Sequence, residues 1–406
     1  MLPRGPDPGL GAKRPWEAPM PVFDPYSPAF DADPFPIYAE LREHHPCLWS
    51  PEARTWVLTR YDDIANALQD WRTYSSAAGN LMDELPNRAG ATLGTTDPPR
   101  HDRLRGLVQY AFVRRNLDYL ETDIRTAARD ALAAISDQDS FDFIEDFTSK
   151  VTVKVLFRLL GLPPGDDALV RDKAVLMVQT DPVTRRKGPE HIAAYEWMQA
   201  YAADVIAERR AKPTGDLISQ FAMAEIDGDR LDEREVLLTT TTLIMAGIES
   251  LGGFLAMLGL NLAENPDARR RCVAQPELIP QAIDESLRFN TSAQRFKRRV
   301  AQDTELHGQV MKAGDFVCLA YGAANRDWRR YPDPDVYDLD RRPTGHFGFG
   351  GGVHACLGAT IARLGSRLIA EELLAAIPDF SKAEETLSWM PSSTFRSPTR
   401  LRLARG

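Results

Sequence analysis

A mainly α-helical fold with a minor β region is predicted by three observations. Helical periodicity runs with few breaks over residues 98–263, and the apolar stretch 232–266 carries no charge between Val236 and Ile248. Strand-like runs are short and confined to places such as "TWVLTR" and "TELHGQVMKAGDFVCLAYGAAN". With 43% hydrophobic and 26% charged residues among 406, the chain can bury a large interior. No repeat or linker divides it, which predicts a single domain over residues 22–406. Residues 1–21 hold six prolines and three glycines, too little apolar surface to offset ordering, and predict a flexible N-terminal arm.

The totals exclude several functions. A net charge of -9, from 49 basic and 58 acidic residues, argues against a nucleic-acid binder. The four cysteines, Cys47, Cys272, Cys318 and Cys356, form no CxxC pair, so neither a zinc site nor a disulfide framework is expected, and a reducing cytoplasm fits. No run was expected to approach the roughly 18 apolar residues of a membrane span, and the N-terminus lacks signal-peptide order.

The elements follow in order. "PFPIYAELREHH" and "DDIANALQDW" have helical spacing, with the strand candidate "TWVLTR" between them. Residues 72–93 show little periodicity, and a connection that long reads as a functional lid. The helical pattern that follows breaks at "GLPPGDD" and "TDPVTRRKGPE". Asp232, with Glu235 three residues on, resembles a capping box at the head of a helix about 50 Å long. A helix apolar on most faces is buried, so its acid Glu249 stands out. "PELIPQAIDESLRF" predicts a further helix, "KAGD" separates two strands of a small sheet, and "LGATIARLGSRLIAEELLAAIP" predicts the last long helix.

Chemistry concentrates in "HFGFGGGVHACLG", residues 346–358. A thiol at a helix start meets unpaired N–H groups and the positive end of the dipole, which predicts a thiolate at Cys356. Gly348, Gly350, Gly351 and Gly352 let the backbone bend and approach something flat, while Gly358 clears space past the sulfur. A nucleophilic cysteine would need a base; His354 is two residues away, but no paired acid or oxyanion loop accompanies it.

"FGGGVHACLG" resembles the F-x-x-G-x-[HR]-x-C-x-G pattern of the cytochrome P450 haem-thiolate monooxygenases, with Phe349, Gly352, His354, Cys356 and Gly358 at the matching places. "ESLR" matches the family's E-x-x-R pair through Glu285 and Arg288. "HDRLR" resembles its haem-propionate pair through His101 and Arg105. "AGIES" is similar to A-G-x-[DE]-T, with Ser250 in the threonine place. "GAANRDWRRYPDPDVYDLDR" is typical of soluble bacterial members, and all these elements occur in family order.

The resemblance implies the cytochrome P450 fold, a haem b (iron protoporphyrin IX) held by Cys356 as metal ligand, and O2 as co-substrate. Cationic His101, Arg105 and His354, with Arg299 or its neighbour Arg298, are expected to meet the propionates; Arg299 is the first choice. Phe349 is expected to pack near the sulfur and Gly358 to border it. Ala246 and Gly247 would leave room for oxygen, and Glu249 and Ser250 would deliver protons. The expected reaction is hydroxylation or O-demethylation of a small hydrophobic substrate, with electrons from NAD(P)H through a ferredoxin and ferredoxin reductase. A monomer is expected, with no membrane or nucleic-acid partner. A basic face of Arg103, Arg114, Arg115, Arg363 and Arg367 would dock the ferredoxin. The alternatives are a peroxide-driven or isomerising haem-thiolate enzyme and a non-catalytic haem sensor or carrier. Residues 77–93, 243–250, 290–296 and 393–396 are expected to line the pocket.

Overall fold

Asp232 starts the longest helix. Its carboxylate accepts from the Glu235 N–H at 2.7 Å, and the Glu235 carboxylate accepts in return from the Asp232 N–H at 3.1 Å, which satisfies two donors that a helix start leaves open. In the computed structural model, which describes residues 22–113 and 117–406, the chain opens with α1 (Pro28–Ala32), α2 (Phe35–His44), β1 (Cys47–Ser50), β2 (Thr55–Leu58), α3 (Tyr61–Gln69) and β3 (Tyr74–Ser75). Then come α4 (Arg100–Gln109), α5 (Leu120–Ala133), β4 (Ser140–Asp142), α6 (Ser149–Leu160), α7 (Asp167–Val178), α8 (Pro189–Ala211) and α9 (Leu217–Ala222). A hairpin of β5 (Glu225–Ile226) and β6 (Asp229–Arg230) precedes the long helix α10 (Glu233–Glu264), followed by α11 (Pro266–Ala274) and α12 (Ile279–Phe289). β7 (Phe296–Val300), β8 (Thr304–Leu306), β9 (Gln309–Met311), β10 (Phe316–Leu319), α13 (Tyr321–Ala324), α14 (Ala359–Ala376), β11 (Phe380–Lys382) and β12 (Arg402–Arg405) complete it.

The largest apolar cluster draws on α5, α6, α8, α10, α12 and α14 and reaches from Leu85 to Leu403. By length and composition α10 could cross a membrane, contrary to the sequence reading, but most of its apolar window is buried inside the protein. The main sheet has the order β1-β2-β10-β7-β3, with β2 and β10 parallel and its other pairs antiparallel. β8 and β9 pair only with each other, so the predicted small sheet is divided between two. β4, β5 and β6 interrupt the region expected to be helical. Each has only two or three residues, and β4 is held by β12 at the far end of the chain, where no local pattern could reveal it. The expected lid contains β3 and is well packed: Leu81, Met82 and Leu85 are buried, and Thr394 accepts from the Met82 N–H at 3.1 Å. The predicted arm over residues 1–21 lies outside the described residues.

Glu285 and Arg288 are not a surface pair. Both are 0% exposed, with the Arg288 Nη2 donating to Glu285 Oε1 at 2.6 Å and Nε to Oε2 at 2.8 Å. Arg288 also donates to the carbonyls of Asn325, Pro334 and Val336, while Glu285 accepts from the Asp338 N–H and Arg341 Nε. The Asn325 side chain carries the network onward: its Oδ1 accepts from the Phe347 N–H at 2.7 Å and its Nδ2 donates to the Leu287 carbonyl at 3.2 Å. Residues 325–347 are thereby tied to α12, and they deliver the chain into the Cys356 loop.

Removing one partner leaves a buried charge uncompensated. Glu285→Gln is expected to lower unfolding stability by about 3–5 kcal/mol, measured by denaturant titration. A loss below about 1 kcal/mol, the range of exposed pairs, would contradict the structural role given to the network.

Candidate functional site

The loop before α14 folds on itself. Phe349 accepts from the Cys356 N–H at 2.9 Å, and Phe347 from the Gly350 N–H at 2.9 Å. Gly352 has φ +61°, and a Cβ there would lie 1.9 Å from the Leu68 carbonyl oxygen, so only glycine lets the loop pack on the end of α3. Gly348, Gly350 and Gly358 instead face a cavity of about 360 Å³, with Phe349 and Cys356 beside them. The exposed surface of Cys356 belongs to that cavity, and protein surrounds the sulfur otherwise.

The thiolate expected at Cys356 is not produced by the protein groups around it alone. Burial pushes the Cys356 thiol up, outweighing the Gly358 N–H and the charges of Arg105 and Arg363. α14 begins only at Ala359, so the sulfur does not meet a full helix terminus. An anion at this place requires a bound cation. Cys318 is fully buried in β10, its thiol raised to about 12 by burial, and is not part of the cavity wall.

A basic cluster stands at one side. His101 and His354 pack edge to face with ring centroids 4.6 Å apart, and both Nε2 atoms are buried without a hydrogen-bond partner. His101 Nδ1 is 2.9 Å from Asp102, while His354 Nε2 is 3.9 Å from Asp97, beyond hydrogen-bond reach. Burial lowers the His354 pKa, which corrects the expected cation to a neutral ring that can still donate. Arg105 donates to the carbonyls of Val353 and Ala355 at 3.3 and 2.9 Å, bracing the loop. Arg299, the first choice from sequence, is exposed, and Arg298 lines the cavity. The reason is the two-residue period of β7, which turns neighbouring side chains to opposite faces.

Across the cavity, Ala246, Gly247, Glu249 and Ser250 of α10 face the loop. A Cβ on Gly247 would come within 2.5 Å of Leu156, so glycine keeps α6 close. The Ser250 hydroxyl donates to the Ala246 carbonyl one turn back, which leaves its oxygen free to accept. Glu249 also borders a second, more polar cavity of about 180 Å³ whose walls include Thr148, Thr152, Arg171 and Thr399. Burial raises the Glu249 carboxyl to about 7, opposed by the Ser397 hydroxyl donating at 3.2 Å and by the charge of Arg171.

All four pocket stretches expected from sequence contribute, through Leu81, Leu243, Phe296 and Phe395 among others. Sequence reasoning missed Leu156 and Leu159 of α6, whose helical spacing reads as ordinary core, and did not single out Arg88 within the aperiodic stretch. The expected docking arginines are engaged within the chain: Arg103 with Asp229 and Glu235, Arg363 with Asp284, and Arg367 with Glu371. Arg114 and Arg115 lie outside the described residues.

One sulfur facing a cavity, a small-residue helix face opposite it, and two buried imidazoles with unmet nitrogens beside Arg105 and Arg298 fit a flat iron cofactor that carries carboxylates. The comparisons agree. A protein-family model for cytochrome P450 matches residues 174–377. The mycinamicin IV hydroxylase/epoxidase of Micromonospora griseorubida is 35% identical over 379 residues, covering 90% of this chain and 94% of that protein. The beta-dihydromenaquinone-9 omega-hydroxylase of Mycobacterium tuberculosis is 31% identical over 392 residues, covering 94% and 78% respectively. Among solved structures, the bacillaene polyketide synthase cytochrome P450 of Bacillus subtilis superposes with TM-score 0.88 at 29% identity, covering 95% of this chain and 100% of that one. A Bacillus megaterium enzyme in complex with testosterone gives TM-score 0.86 at 27% identity, covering 94% and 100%. Sequence, fold and cavity together place this chain in the cytochrome P450 family, as a bacterial-type haem-thiolate monooxygenase that uses haem b, O2 and electrons from NAD(P)H through redox partners.

Proposed function

We propose that the chain is a cytoplasmic, monomeric enzyme that takes electrons from a ferredoxin and its reductase and hydroxylates or O-demethylates a hydrophobic molecule. The observation that carries this reading is the half-buried acid Glu249, between a mostly apolar cavity and a polar one that reaches Arg171. A peroxide-driven or isomerising enzyme, or a haem sensor, has no need of delivered protons. Relatives named for mycinamicin IV and beta-dihydromenaquinone-9, and a neighbour solved with testosterone, support a largely apolar substrate.

When bound, haem supplies oxygen activation and insertion of one oxygen atom into the substrate. Cys356 would hold its iron, with Phe349 and Gly358 beside the sulfur. His101, Arg105, Arg298 and the neutral His354 would donate to its carboxylates. Ala246 and Gly247 would leave the opposite side open, and apolar walls such as Leu243 and Phe296 would exclude water. Glu249 holds a proton at its carboxyl, to which the Ser397 hydroxyl donates, and Ser250 would take that proton on its oxygen once its own hydroxyl hydrogen turns from the Ala246 carbonyl toward the cavity.

Substrate-dependent and oxygen-dependent NAD(P)H consumption with a surrogate ferredoxin and reductase tests the overall reading. Turnover with peroxide alone, and none with ferredoxin, would favour the peroxide-driven alternative. Cys356→Ala is expected to abolish the thiolate-type carbon monoxide complex and nearly all oxygenation; a variant that kept that complex would move the ligand to another residue.

The proton role has a pH signature. A carboxyl raised to about 7 is neutral below that pH and ionises above it, so turnover limited by its proton should fall as pH rises through about 7. Glu249→Gln should slow turnover about 10–100-fold and flatten that profile, while Ser250→Ala should lower product formed per NAD(P)H. Threonine at 250 should keep or raise it, because its branched Cβ restricts the rotamer. Unchanged rate, coupling and pH profile in both Glu249→Gln and Ser250→Ala would remove this pair from proton delivery.

A further inference from the structure

Arg88 lies in the wall of the main cavity, although it belongs to none of the groups assigned to the cofactor. Its side chain is 3% exposed, and its Nη1 donates to Glu84 Oε1 at 2.6 Å and Asn80 Oδ1 at 2.9 Å. Nε is buried and has no hydrogen-bond partner. A guanidinium carries five N–H donors, and a buried donor left unmet is costly, so the site is short of acceptors. Gly94 also lines the cavity, and a Cβ there would come within 3.9 Å of Arg88 Nη2 and 3.2 Å of Asn80 Nδ2, so the glycine leaves space beside the two donors.

Arg88 is held by Glu84 and Asn80 of its own stretch, whereas Arg105 is held by the Cys356 loop through the carbonyls of Val353 and Ala355. Glu84 is fixed by the N–H groups of Asn80, Leu81 and Leu85 and already balances the Arg88 charge. An anion would therefore gain little here, whereas a neutral oxygen acceptor would gain a charge-assisted hydrogen bond.

We infer that Arg88 is a specificity-determining residue that binds a carbonyl-type oxygen on an otherwise apolar substrate and so holds one end of it away from Cys356. The inference rests on the monooxygenase reading above and names the substrate class: a ketone, ester or lactone with a large hydrocarbon body. A charged group that cannot follow a moving ligand far makes one anchored orientation, and with it one oxidised region, the expected outcome.

Calorimetric and optical titrations of the haem-loaded enzyme with cyclododecanone, cyclododecane and dodecanoate test it. The wild type should bind the ketone at least about tenfold more tightly than the hydrocarbon, and more tightly than the carboxylate. Arg88→Met should reduce ketone affinity to that of the hydrocarbon, with hydrocarbon affinity within about twofold of wild type. Arg88→Lys, which keeps a cation beside Glu84 without the planar donor edge, should lose most of the preference and guards against a misfolded Met variant. No ketone preference in the wild type, equal weakening of both ligands in Arg88→Met, or tighter binding of dodecanoate would each overturn the proposal. Loss of haem in both variants would instead give Arg88 to the cofactor and also overturn it. The carbon monoxide spectrum of the wild type reports the monooxygenase reading separately, so failure of one is distinguishable from failure of the other.

Discussion

The structure depends on a buried ion pair whose lone pairs and protons are nearly all used. Glu285 and Arg288 would be expensive to desolvate if they met only each other. Here they also engage three carbonyls, one backbone N–H and a second arginine, so each charge is matched by hydrogen bonds drawn from the chain that follows α13. That chain has little regular structure of its own. Fixing it at Asn325 and Phe347 gives the following glycine loop a defined starting point, and the Cys356 N–H to Phe349 bond closes it. A single sulfur is positioned by a network that does not touch it.

A second consequence of burial runs through the site. The cavity wall disfavours charge wherever charge lacks a partner: the thiol of Cys356 and the carboxyl of Glu249 are pushed up, and the imidazole of His354 is pushed down. In all three the uncharged form is favoured for the same reason, and each group is suited to a different task. The thiol can ionise onto a cation, the imidazole can donate to a carboxylate, and the carboxyl keeps a transferable proton near neutral pH. Arg88 is the contrasting case, a charge kept within the wall because Glu84 lies 2.6 Å away.

Much of this was legible in the sequence because it is local or periodic. The capping box at Asp232, the uncharged face of α10 and the glycines around Cys356 announce themselves within a few residues, and the motifs carried the family. What stayed hidden depends on distant partners. β4 is a strand only because β12 reaches it, and Glu285–Arg288 has the spacing of any surface pair until the chain after α13 closes over it. The choice of Arg299 failed by one residue, which in a strand turns a side chain to the opposite face. The helix terminus was the wrong source for the expected thiolate, because the helix starts after the sulfur and burial opposes the charge, which leaves the anion to a bound cation. Arg88 gave no signal, since a lone arginine in an aperiodic stretch reads as solvated.

The hydrogen bonds that build the loop presenting Cys356 come from the protein network rather than from the cofactor. Native-state hydrogen exchange on the haem-free chain tests this origin most directly, read at the amides of Phe347 and Cys356 and compared with those in the middle of α12. Both loop amides should exchange as slowly as α12 before any haem is added. Rapid exchange of the two loop amides alongside a protected α12, with protection appearing only on haem addition, would contradict it.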